Sequence, residues 1–533
     1  MSGGVERSGA GAHYGDAQVP CRVAHPGVNA TAAAACDDGG VIRWLAPRFA
    51  AFAGIVLLVA VLAVVGKAWY DSRLPTTYSV MAYGTDDYGG GTAVSHAGHD
   101  RGGLSVADLH GPQREAPDAR FELTARHATI RLASGRTVDA LTFDGKAPGP
   151  ELRVRQGDLV EVNLVNEDIE EGVTIHWHGV DVPNAEDGVA GVTQDAVLPG
   201  ERYTYRFRAD QVGTFWYHTH QVSSKEVRRG LFGALVIEPR GPTRAAGLDV
   251  VIVAHTFDGV PTLNGDDTLQ LRAVQPGTPV RLRLVNSDSF GQRFAIAGTS
   301  FRVVAIDGTD LNGPSPIENQ TLALGGGGRI DVSFTMPESA VGLSLEGTNA
   351  GLALSADGSD TPPAQSEGAE FDPVTYGRPA PTPFDASTAF DRRFELTITR
   401  KPGFFDGRPG RQWAVNGGIY PDVPVFVVEE GDLVEMTIAN DTKVVHPMHL
   451  HGHHVLVLSR DGEPSSGSPW WSDTLNVSPG ERYVVAFRAD NPGIWMDHCH
   501  NLPHAAEGLT MHVAYSGVTT PFQIGAEHHN TPE

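Results

Sequence analysis

From Phe121 onward, apolar and polar residues alternate in short runs such as Glu151–Arg155, Leu159–Leu164, Arg202–Phe207 and Leu235–Ile237, each bounded by Pro, Gly, Asn or Asp. A period of two in runs of this length predicts strands with one buried face, and their close spacing predicts β-sandwiches. The pattern upstream is different. Phe49–Gly66 is an uncharged run dominated by Ala, Val and Leu; as a helix it covers roughly 27 Å, against a hydrocarbon core of about 30 Å. Trp44, Trp69 and Tyr70 flank it as interfacial anchors. The run reads as an uncleaved anchor, with a cleaved signal peptide as the alternative. Arg43 and Arg48 balance Lys67 and Arg73, so local charge leaves its orientation open.

An internal repeat organises the rest. GDLVEVNLVNED at 157–168 recurs as GDLVEMTIANDT at 431–442, and PGERYTYRFRADQVGTFWYHTH at 199–220 recurs as PGERYVVAFRADNPGIWMDHCH at 479–500. A weaker third copy lies between them, with GTPVRLRLVNSD at 277–288 and GGGRIDVSFTMP at 326–337 but no histidine pair. The predicted organisation is a disordered tail (1–48), an anchor or signal segment (49–70) and a linker (71–118). Sandwiches follow at 119–241, 242–345 (a spacer) and 392–517. Residues 346–391, rich in Pro, Ser, Gly and Asp, form a connecting loop, and 518–533 a solvated tail. His96, His99 and His110 read as solvated linker histidines, and His528 and His529 as exposed on the tail.

Composition narrows the chemistry. The chain has 533 residues, 64 acidic against 40 basic, which exceeds a single core and argues against a nucleic-acid partner. Of three cysteines, Cys21 and Cys36 precede the apolar run, so no disulfide framework staples the folded part. Cys499 remains, and in isolation it would read as a small buried hydrophobe. Its neighbours change that: it sits in Trp495–Leu509, WMDHCHNLPHAAEGL. On a strand His498 and His500 share one face and Cys499 takes the other, so one strand supplies imidazoles to one metal centre and a thiolate to another.

Four H-x-H pairs stand out: His176/His178, His218/His220, His449/His451 and His498/His500. With 22 histidines, chance gives roughly one such pair. Here there are two sets in register, at offsets of 273 and 280. Eight imidazoles exceed what one metal takes and suffice for three. His446, Cys499 and His504 remain as a second set, and a soft thiolate with two imidazoles suits copper.

HWHG at 176–179, HTH at 218–220, HPMHLHGHH at 446–454 and HCHNLPH at 498–504 resemble the four copper motifs of the multicopper oxidases, the laccase, ascorbate oxidase and ferroxidase superfamily. The resemblance spans about Arg120 to Tyr515. It implies an all-β chain of three cupredoxin-like Greek-key sandwiches, the first and third each carrying half of a trinuclear site. It further implies four coppers: type 1 on His446, Cys499 and His504, type 2 on His176 and His449, and a type 3 pair on His178, His218, His220, His451, His498 and His500. Leu509 falls at the family's axial position, and Met511 is two residues too far along. Asp187, in EDGVAGVTQ, matches the acid that the family places near the cluster, although an Asp-Gly pair also reads as a turn. A second acid that some members carry in or just after HCH-x-x-x-H has no match at Asn501, Leu502, Pro503 or Ala505, and Glu507 is close but out of place. His453 and His454 read as supporting or surface residues.

The activity implied is one-electron oxidation of a small reductant, by default a phenol and otherwise Fe²⁺ or Cu⁺, coupled to reduction of dioxygen to water. The catalytic domains are expected to be extracytoplasmic, membrane-anchored or secreted. A copper nitrite reductase would not need eight paired histidines in one chain, and a non-catalytic envelope protein on this scaffold would lack ligands that are all present here. The seven scattered Met provide no Met-rich insert for cuprous ion.

Overall fold

The computed structural model describes residues 39–92, 103–241, 247–363, 368–385 and 387–533, with side chains from residue 49 onward. Cys21, Cys36, His96, His99 and the expected disorder of the first 38 residues lie outside the described residues. The chain divides into two units, residues 1–65 and 66–533. In the first, helix α1 begins at Gly39; it runs to Asp71, and its Phe49–Asp71 portion is long and apolar enough to cross a membrane.

The second unit is built from strands arranged as three successive pairs of sheets. In the first pair, a four-stranded sheet including Ala119–Arg131, Leu159–Asn166 and Arg202–Arg208 faces one containing β1 (His176–His178) and β2 (Gly213–His218). Leu123, Val162 and Phe207 of one sheet share a core with Trp177, Phe215 and Leu235 of the other. The third pair repeats the plan. A seven-stranded sheet contains the long hairpin β3 (Arg392–Phe405) and β4 (Arg408–Val415). It packs on a six-stranded sheet containing β5 (His446–Leu450), β6 (Ile494–Cys499) and β7 (Thr510–Tyr515). The repeated PGERY turns place Gly200 and Gly480 at φ +85° and +84°, a left-handed conformation that glycine adopts without a Cβ penalty.

Two stretches depart from the expected pattern. Gly351–Ser355, assigned to the connecting loop, is a fully buried strand between Val341–Leu345 and Leu269–Ala273. Both faces are covered, so GLALS shows no alternation, and the Gly/Ser/Asp-rich surroundings hide it. Within the expected linker, Thr85–Asp87 adds an edge strand to the third pair beside Pro424–Val428, and Leu104–Ser105 pairs with Val518–Thr519.

Candidate metal centres

β6 ends on Cys499, whose Sγ lies 3.5 Å from Nδ1 of His446 on β5 and 3.6 Å from Nδ1 of His504 on helix α2 (Leu502–Ala506). The Cys499 amide donates to the Leu509 carbonyl at 3.1 Å, which fixes buried Leu509 beside the sulfur, while Met511 is in register with Asp497. Burial pushes the Cys499 thiol up, so it stays protonated until a metal ion displaces the proton. Burial, then the neighbouring His504 and Arg400 charges, push His446 down to about 3; burial and Arg400 push His504 down to about 4. Both imidazoles are therefore neutral with a lone pair to offer. Trp413 on β4 packs against both rings, at centroid distances of 5.0 and 4.5 Å, and donates its indole N–H to Glu507 Oε2 at 3.0 Å.

On the opposite face of β6, the eight paired histidines converge. The strands pair alike in both copies: His176 opposite His218 on β1 and β2, His449 opposite His498 on β5 and β6. Across the two sandwiches the His178 and His449 rings stack at 3.7 Å and His176 on His451 at 3.9 Å. Nε2 atoms approach to 3.3 Å between His176 and His449, and to 3.2 Å between His451 and His498. Five of the eight Nδ1 atoms are anchored. Asp187 Oδ1 accepts from His176 at 3.0 Å and its Oδ2 lies 3.1 Å from His451 Nδ1. Carbonyls of Asp473, Thr219 and Pro532 accept from His449, His218 and His220 at 2.8, 2.9 and 3.0 Å. That leaves Nε2 of His218 and His220, Nδ1 of His178 and His498 and both ring nitrogens of His500 buried without a hydrogen-bond partner. Each such orphan costs about 1–3 kcal/mol unless something binds it, and converging neutral imidazoles are what a metal ion binds. Burial holds His178, His218, His220, His451, His498 and His500 well below the usual imidazole range and pushes His449 down to about 3.

Asp187 reaches both halves because its turn is tied to β6: Asn184 Nδ2 donates to the Ile494 carbonyl, and the Ile494 amide to Asn184 Oδ1, each at 3.1 Å. Several contributors had not been anticipated. Asp473 is buried beside His178 (3.3 Å) and His449 (3.6 Å). Burial alone would raise its pKa, but the Arg329 guanidinium, also buried, holds it well below the carboxylate range. Arg329 belongs to the second sandwich, as does Gly327. A Cβ on Gly327 would stand 2.8 Å from His178 Cε1 and 3.0 Å from His500 Cγ. The spacer thus closes one wall of the site.

The tail is not solvated. Asn530 is fully buried and Pro532 meets His220. Glu533 Oε1 stands 3.1 Å from His498 Nδ1, and burial pushes that carboxyl up to about 8. His528 is partly buried, its Nδ1 3.0 Å from the Ala196 carbonyl, whereas His529 is exposed as expected. His110, placed in the linker, lies 3.2 Å from buried Glu186. His453 is buried against the Tyr515 hydroxyl at 2.8 Å, and His454 lies between Asp181 (3.2 Å) and Asp473 (3.4 Å).

Comparison with known proteins matches three family models, each described as multicopper oxidase, to residues 124–242, 240–342 and 391–517. The chain is 30% identical over 479 residues to Laccase-2 of Botryotinia fuckeliana, covering 73% of this chain and 81% of that protein. It is 27% identical over 481 residues to the iron transport multicopper oxidase FET3 of Saccharomyces cerevisiae, covering 74% and 75%. Among solved structures, the multi-copper oxidase from Pseudomonas thermotolerans superposes with a TM-score of 0.62 at 29% identity, covering 75% of this chain and 100% of that one.

Proposed function

From the premise that the chain belongs to the multicopper oxidase family, and so is a copper-binding oxidoreductase using dioxygen, we propose that it oxidises small phenolic donors, four one-electron oxidations per dioxygen reduced to two waters. The type 1 copper is assigned to His446, Cys499 and His504, the type 2 copper to His176 and His449, and the type 3 pair to His178, His218, His220, His451, His498 and His500. When bound, copper supplies reversible one-electron chemistry at the first group and dioxygen reduction at the second.

The protein's part follows from its own residues. Cys499 is joined by single peptide units to His498 and His500, so the two groups are connected through one short stretch of backbone. Asp187 orients His176 and His451 and is the acid closest to both halves of the larger group. Burial of the larger group keeps bulk water from its imidazoles.

The observation that carries the donor class is the cavity of about 450 Å³ beside half-buried His504, lined by Phe290, Val444, Val445, Pro447 and Asn501. Phe290, Val444 and Val445 expose apolar surface there, and the one acid in its lining, Glu370, is paired with Arg293 at 2.7 Å. An oxidase for Fe²⁺ needs unpaired carboxylates beside the type 1 histidines; an aromatic donor needs apolar walls. FET3, whose name describes iron transport, keeps metal oxidation as the second reading.

The test is copper-loaded protein assayed with a phenol, Fe²⁺ and Cu⁺ at equal concentration. Blue colour, about four coppers per chain and fastest oxygen uptake with the phenol are expected. A colourless protein, or colour and oxygen uptake that survive Cys499→Ser, sinks the proposal; faster turnover of a metal ion sinks the donor class.

A further inference from the structure

The outer part of the hairpin β3–β4, residues 399–415, carries Arg400, Lys401, Arg408 and Arg411 against a single acid, Asp406, on a chain whose net charge is −24. All four basic residues are exposed. Arg400 and Lys401 donate to the backbone carbonyls of Arg411 and Gly417, and Arg411 to that of Arg400, so their charge is not spent on a carboxylate. Register places Arg400 opposite Trp413 and Pro402 opposite Arg411. With side chains alternating along each strand, Arg400 and Arg411 share the ribbon face of Trp413, and Lys401 and Arg408 take the other.

Trp413 is the ring that rests on His446 and His504. The Arg400 guanidinium caps it, 4.2 Å from the ring centroid, and Glu507 fixes its indole N–H. One aromatic ring therefore separates a permanent cation from the two imidazoles, a span comparable with the screening length of about 8 Å at physiological ionic strength.

We propose that Arg400, backed by Arg411, is a specificity-determining residue at the electron-entry site, favouring anionic aromatic donors such as carboxylated phenols and repelling metal cations. The inference rests on the assignment of His446, Cys499 and His504 as the type 1 ligands. Each donor surrenders one electron to that site and one proton from its hydroxyl to solvent, and leaves as a phenoxyl radical. A cation held over the site raises the local concentration of anionic donors and lowers that of Fe²⁺ or Cu⁺. It does so against the field of an acidic protein, so the discrimination is local. Arginine suits the position because it keeps its charge at any working pH and stacks flat on an indole.

The experiment follows anaerobic bleaching of the blue band on mixing copper-loaded protein with ferrocyanide, an anionic one-electron reductant, or with hexaammineruthenium(II), a cationic one. Wild type, Arg400→Glu, Arg400→Lys and Lys401→Glu are compared across ionic strength. Arg400→Glu is expected to lower the anion-to-cation rate ratio by about tenfold or more at low salt, and the effect should shrink as salt rises. Arg400→Lys should retain the ratio within about threefold, and Lys401→Glu, the same charge change on the opposite face, should move it by less than about twofold. A ratio unchanged in Arg400→Glu, or moved equally by Lys401→Glu, overturns the assignment of specificity to Arg400. A wild-type protein with no blue band overturns the type 1 assignment beneath it, and the two failures are read from different measurements.

Discussion

Replacing Asp187 tests whether two imidazoles from different sandwiches are held by one carboxylate. Asp187 is 1% exposed, and its oxygens lie 3.0 Å from His176 Nδ1 and 3.1 Å from His451 Nδ1. Losing an acceptor behind a metal-bound imidazole lowers metal affinity by about 10–100-fold, roughly 1.4–2.7 kcal/mol. In Asp187→Ala both rings lose theirs. His176 keeps the backbone carbonyl of Asp187 at 2.9 Å, so the larger loss falls on the copper held by His451. Asp187→Asn preserves shape and one acceptor but turns an NH₂ toward one imidazole N–H, and should fall between wild type and Ala. Copper content after dialysis against graded chelator measures the effect, with the blue band as an internal control because Cys499, His446 and His504 do not touch Asp187. An Ala variant that holds copper as tightly as wild type refutes the reasoning. Loss of the blue band in step with the other coppers would instead mean that the residue supports the fold.

Leu509→Met brings a thioether to the position beside Cys499, and a weak axial donor stabilises oxidised copper, so the type 1 potential should fall; redox titration showing no change or a rise contradicts this. Glu226 is fully buried, both its oxygens lack a partner, and burial pushes it up to about 9. Because this carboxyl binds its proton more tightly folded than unfolded, its contribution is intact below about pH 4.5 and is lost as pH rises toward 9. Glu226→Gln should therefore match wild type at pH 4 and exceed it on the order of 3 kcal/mol near pH 7, several degrees in Tm by calorimetry; a gap that is constant with pH rules this out. Arg329→Met strands the buried Asp473 carboxylate and should cost about 3–5 kcal/mol, with Asp473→Asn in the same chain recovering part of it. If the double variant melts no higher than the single one, Asp473 is not the group left uncompensated.

The parts of the site most legible in the sequence were those that repetition exposes. The four H-x-H pairs could be matched because their strands recur with the same turns, and the period of two already sorted imidazoles from Trp177, Thr219, Leu450 and Cys499. What the sequence hid was contributed without repetition. Asp473 stands where the first copy has Thr193, a departure from the repeat that would have flagged it. Arg329 and Gly327 come from the copy that carries no histidine pair, so nothing local marks them. Glu533 lies in a polar stretch whose composition reads as solvated, and only long-range docking places it at His498. Gly351–Ser355 escaped because a strand buried on both faces loses the alternation by which strands are recognised.

The geometry also says why the second sandwich is more than a spacer. The stacks of His178 on His449 and of His176 on His451 form only when the first and third sandwiches meet. Arg329 spans that junction, its Nε donating to the Thr214 carbonyl of the first sandwich at 3.2 Å and its Nη1 to Asp473 of the third at 2.6 Å. Six of the converging imidazoles are held far from protonation by burial and by one another, so the assembled but metal-free junction carries unpaired polar nitrogens that docking must bury. Copper held between the paired histidines of the two sandwiches would bind the docked state more tightly than the separated halves, and so would stabilise the junction by mass action. The Arg329–Asp473 pair acts in the same direction without metal, holding the two half-sites in register so that the first ion meets ligands already in place.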